Sequence, residues 1–82
     1  MENEIKELRK ELDIIDDNIA KLLASRVETG KKIVGLKRIK GLPENDGMRE
    51  NEIIERISKK NPKIAELLKE LYKRIFDWVK NQ

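Results

Sequence analysis

The chain has 82 residues, 43% of them charged and 38% hydrophobic, with a net charge of +3. That is enough for one domain with a marginal core, and it is too apolar and too well patterned for disorder. There is no Cys and no His, which excludes disulfides, thiol chemistry, Ser–His or Cys–His catalysis and zinc sites of the usual kind.

The charge signs are interleaved, which reads as a solvated helical surface and not as a nucleic-acid footprint. No apolar run approaches membrane-spanning length and no signal peptide precedes the first helix, so a soluble cytoplasmic protein is expected.

The first helix is expected from about Asn3 to about Ile39. Its apolar residues run Ile5, Leu8, Leu12, Ile15, Ile19 and Leu22, at alternating spacings of three and four. That is a heptad seam. The next core position is Arg26, and the seam resumes at Ile33. A guanidinium stays protonated, so burying it is costly unless an anion faces it. Either an internal carboxylate sits opposite Arg26, or the seam opens there for an anionic ligand. Lys37 follows eleven residues later, near the same face and about 16 Å along. Long side chains at these two positions can close on one small ligand. Arg9 lies seventeen residues before Arg26, about 25 Å away and on a different face. It cannot easily join that site from its own helix, but the partner's Arg9 could reach it in an antiparallel dimer. The bland reading of Arg9 and Lys37 is that both snorkel to water beside the seam. Gly30 and Gly35 either permit close approach of a helix or ligand, or are tolerated weak points. Gly41-Leu42-Pro43 ends the helix, with Gly as the C-terminal cap.

A short loop, Pro43 to Asp46, leads to the second helix. Asp46 is a good N-cap, and Ile53, Ile54 and Ile57 share one face. Arg49 lies one turn in, flanked by Asp46 and Glu50. Those carboxylates can orient the cations or accept from a ligand hydroxyl; equally, they can be a plain cap and a solvated face. Asn61-Pro62 reads as an N-cap followed by Pro at the first helical position. The third helix is expected from Pro62 almost to the end, with Ile64, Leu67, Leu68, Leu71, Ile75, Phe76 and Val79 at core spacing.

With no strand signal, the expectation is an all-α fold in a single domain of residues 1–82: one long helix and two shorter ones. A first helix of about 36 residues is roughly 54 Å long. A compact domain of this size is nearer about 25 Å across. Two short helices cannot cover such a rod, so an intertwined helical homodimer is expected.

The residues then fit a known pattern. Leu8-Arg9-Lys10-Glu11-Leu12-Asp13-Ile14-Ile15-Asp16, Leu22-Leu23-Ala24-Ser25-Arg26, Ile33-Val34-Gly35-Leu36-Lys37 and Asp46-Gly47-Met48-Arg49-Glu50 occur in order. Together they resemble the all-helical (AroQ-class) chorismate mutases. The third segment departs from the family by one residue inserted before the Gly. The likeness covers about residues 5 to 57 well, and the third helix only by its apolar pattern.

The resemblance implies the Claisen rearrangement of chorismate to prephenate, a shikimate-pathway step toward Phe and Tyr. It implies no cofactor and no metal, and a homodimer whose two sites each take one Arg from the other chain. By position, Arg26 and the partner's Arg9 would clamp the substrate carboxylates. Lys37 would contact a carboxylate and the ether oxygen, Asp46 and Glu50 would hold the ring hydroxyl or its surroundings, and Arg49 would add positive field. The family's third helix carries a polar residue and, one turn later, a Gln or Glu at the ether oxygen. Aligning Leu71-Tyr72 and Ile75-Phe76 puts Val79 at the first position and the second one residue beyond Gln82, which is its nearest substitute.

Two other readings compete. An isochorismate pyruvate-lyase shares this fold and cationic site, although the retained Asp46, Arg49 and Glu50 favour the mutase. A non-catalytic helical dimerisation module would tolerate Arg26→Leu without loss of function.

Overall fold

The computed structural model describes residues 1–81. Three α-helices follow one another: α1 over Glu2–Lys40, α2 over Gly47–Lys60 and α3 over Ala65–Lys80. The expected all-α class is found. Helix α1 runs unbroken for 39 residues. Its ends suit the helix dipole, with Glu2 and Glu4 in the first turn and Lys37, Arg38 and Lys40 in the last. Gly41 stops it in the left-handed region, at φ 68°. There the Gly41 N–H donates to the Arg38 carbonyl at 3.2 Å and the Leu42 N–H to the Lys37 carbonyl at 2.8 Å. This is the glycine-dependent Schellman ending. An ion pair between Arg38 and Glu44 ties the following loop back to α1.

Asp46 caps α2 as expected, its Oδ1 accepting from the Arg49 N–H at 3.1 Å. The start of α3 differs from expectation. Pro62–Ile64 form a 3₁₀ turn, and the α-helix begins at Ala65. Asn61 does not cap it, because its side chain is spent on α2, donating from Nδ2 to the Ile57 carbonyl at 2.9 Å. The turn tightens instead through the Ile64 N–H, which donates to the Asn61 carbonyl at 3.2 Å.

Helix α3 packs on α2 and on the C-terminal part of α1, while α1 and α2 do not pack on each other. The small core reflects this. Val34 of α1 meets Ile75 and Val79 of α3, with Val27 and Tyr72 against them. Ile53 of α2 and Phe76 of α3 are also buried. Gly30 is buried too. A Cβ there would lie 3.2 Å from a Val79 methyl, so the glycine lets α3 approach closely. Around Gly35 a Cβ would meet nothing within 4 Å.

The N-terminal part of α1 stands apart from this cluster. The seam residues Ile5, Leu12, Ile15 and Ile19 are each about half exposed, and Leu22 is 72% exposed. The molecule extends 58 × 23 × 17 Å with a radius of gyration of 16.5 Å, where a compact chain of this length would have about 12 Å. Its accessible surface is 7225 Å², against about 5,100 Å² for a folded monomer of this mass. The protruding part of α1, with its uncovered seam, contributes to this excess. Among the described residues, no helix is long and apolar enough to cross a membrane.

Candidate active site

Because α1 and α2 both lean on α3 without touching, a cleft of about 410 Å³ opens between them. Such a volume suits a small ligand. Arg26 and Lys37 enter it from α1, and Asp46, Arg49 and Glu50 from the start of α2. Five of the six residues singled out from the sequence therefore share one cleft. Arg9 does not join them. It lies on the protruding part of α1, about 25 Å from Arg26 along the helix.

Arg26 interrupts the seam and turns toward α3. Its guanidinium carbon sits 5.8 Å from the centre of the Phe76 ring. Tyr72 meets the same ring edge-on, at 5.9 Å and 65°. No carboxylate lies within 4.0 Å of the Arg26 guanidinium among the described residues. Of the two explanations for Arg26, an internal anionic partner is thus not the one found. An Arg26 nitrogen also lies 3.3 Å from where a Gly30 Cβ would stand. Gly30 makes room both for α3 and for the arginine.

The start of α2 fixes the opposite wall. With one Asp46 oxygen held by the cap, that carboxylate is set at the rim. Arg49 reaches Glu52 at 3.5 Å, an exposed pair of little energetic weight. Glu50 is half-buried and pairs with Lys80 of α3, Nζ to Oε2 at 3.0 Å.

Two cations in the lining, Arg56 and Lys80, were not singled out from the sequence. Arg56 stands seven residues after Arg49, two turns along the same face, which is a readable signal. Lys80 follows the last core residue of α3, and only the folded arrangement brings it beside Glu50. Phe76 reads as core in the sequence, and with Tyr72 it also forms an aromatic wall of the cleft. Val79 is in the core as its spacing predicts. Gln82, the nearest substitute for the family's third-helix donor, lies outside the described residues.

The lining carries five cationic side chains and three carboxylates, an excess of two positive charges in a half-apolar cleft. That balance suits an anionic ligand held by charge-assisted hydrogen bonds. The family described as chorismate mutase type II matches residues 8–82. The chain belongs to that family. It is 42% identical over 73 residues to a bifunctional chorismate mutase/prephenate dehydratase of Aquifex aeolicus, covering 89% of this chain and 18% of the relative. It is 41% identical over 59 residues to a chorismate mutase of Methanocaldococcus jannaschii, covering 72% of this chain and 60% of that one. This type II chain thus spans about a fifth and three fifths of the lengths of these two relatives. No solved structure matches it significantly.

Proposed function

We propose that the chain is a chorismate mutase, converting chorismate to prephenate on the way to Phe and Tyr in the cytoplasm. The observation that carries this reading is the cleft itself, with two unbalanced positive charges and an Arg26 that has no anionic partner among the described residues. The type II family match supports it.

The rearrangement is pericyclic. One C–O bond breaks as a C–C bond forms within one molecule, and no proton, nucleophile or metal is required. Two effects remain for the protein to supply. Arg26 and the partner's Arg9 hold the two carboxylates and select the compact conformer of a flexible dianion. Lys37 stands beside the ether oxygen and stabilises the negative charge that grows there as the C–O bond breaks. Asp46 and Glu50 accept from the ring hydroxyl or its surroundings, since carboxylates can only accept. Arg49 adds positive field.

The working unit in this reading is an intertwined homodimer. It is supported by the half-exposed seam from Ile5 to Leu22, which no element among the described residues covers. It also supplies the Arg9 that its own chain holds about 25 Å from the cleft.

The test is incubation of the purified chain with chorismate and, separately, with isochorismate, with products resolved by chromatography. Prephenate formed from chorismate, and lost in Arg26→Ala, is the expected result. Pyruvate and salicylate from isochorismate would move the assignment to the lyase. No product from either would leave a family-like dimer with a defective site.

A further inference from the structure

Helix α3 gives the cleft an aromatic and apolar wall of Tyr72, Phe76 and Val79, and one cation, Lys80. Val79 is committed to the core with Ile75 and Val34, so the polar contribution of this helix comes one residue later. Lys80 Nζ stands 3.0 Å from Glu50 Oε2, with side chains only 24% and 27% exposed. The pair joins the last turn of α3 to the first turn of α2. Each charge is at the helix end whose dipole favours it. As a simple staple between helices it would be a modest stabiliser.

Its position gives it a second consequence. Glu50 faces a cleft whose charge balance calls for an anion. Unpaired, its carboxylate would repel that anion across a short gap. With Oε2 held by an ammonium, the other oxygen of this lining residue is left to accept, which is all a carboxylate oxygen can do.

We propose that Lys80 is a positioning residue for the reaction. It fixes Glu50 in the geometry that accepts from the ligand hydroxyl, and it cancels the Glu50 charge toward the incoming dianion. This rests on the mutase reading of the cleft.

The test compares Lys80→Met and Lys80→Arg with the unaltered chain, each also in a Glu50→Gln background, by steady-state kinetics on chorismate and by thermal melting. Lys80→Met is expected to raise KM about tenfold with kcat changed less than about threefold, since it removes order present before the transition state. Lys80→Arg restores KM to within about threefold, because it keeps a positive charge and N–H donors able to pair the Glu50 carboxylate. In the Glu50→Gln background, Lys80→Met changes KM less than about twofold, the signature of a residue acting through its partner. An equal KM penalty in both backgrounds would make Lys80 an independent attractor and overturn the proposal. So would an unchanged KM, or a loss that Arg does not rescue and that follows the melting midpoint. If the unaltered chain makes no prephenate, the functional reading falls and takes this role with it. If it makes prephenate and Lys80→Met is indifferent, only the Lys80 role falls.

Discussion

The Arg26 guanidinium rests over the Phe76 ring at 5.8 Å, so its charge is held in place without being neutralised. A cation–π contact of this kind contributes about 0.5–2 kcal/mol and leaves the guanidinium edge available for hydrogen bonds. The residue that breaks the seam of α1 is thereby oriented for an anion.

Arg26→Leu is expected to lower kcat/KM by at least about 100-fold, since the bidentate carboxylate contact is lost. The same change puts an apolar side chain on Phe76 and completes the seam. The melting midpoint should therefore hold or rise by a few degrees, because apolar packing at this half-buried position offsets the lost cation–π contact. Turnover assays and thermal melts on one preparation check both halves. Retained turnover would remove Arg26 from the site.

Lys37→Ala is expected to raise the barrier by about 3–4 kcal/mol, the loss of one donor at a developing oxyanion. Lys37 serves the end of α1 through its carbonyl, which accepts from Leu42. That bond survives the substitution, so the melting midpoint should hold. A tenfold effect or less would assign Lys37 to the solvated face.

Arg9 is tested by mixing two inactive variants. Arg9→Ala and Arg26→Ala each disable both sites of their own homodimer. Unfolded together and refolded, half of the dimers are mixed, and each has one site with both arginines intact. Activity should return to about a quarter of the unaltered value. No recovery would mean that Arg9 serves its own chain or none.

Gly30→Ala probes the close approach of α3. The added Cβ would meet Val79 at 3.2 Å and Arg26 at 3.3 Å. Helix propensity gains about 1 kcal/mol, which offsets part of the crowding. The melting midpoint should move by only a few degrees. Turnover should fall about tenfold or more, because Arg26 is displaced from its seat and misplaced contacts are expensive in catalysis. A large fall in midpoint with normal kcat would locate the strain at Val79 alone.

Much of this was readable in the sequence because helices announce themselves locally. Heptad spacing, Gly41 and Asp46 are features of a few adjacent residues, and the structure has all of them. Arg26 and Lys37 were legible because one helix sets both their facing and their separation. Arg56 shares that property with Arg49 and was passed over. Lys80 and Glu50 stand 30 residues apart on different helices, and no local spacing relates them. The 3₁₀ turn at Pro62 was missed for a different reason. Asn61 has one side chain to offer, and α2 rather than α3 receives its hydrogen bond.

The unbroken run of α1 from Glu2 to Lys40 has a consequence for how this chain can vary. On the proposed reading, one rigid rod carries an arginine for each of two sites. The seventeen residues from Arg9 to Arg26 then act as a ruler. Substitutions between them alter packing, but a single inserted or deleted residue turns Arg9 by about 100° and moves it about 1.5 Å along the axis. Both sites would lose an arginine at once. The length of this segment should be far less negotiable than its composition.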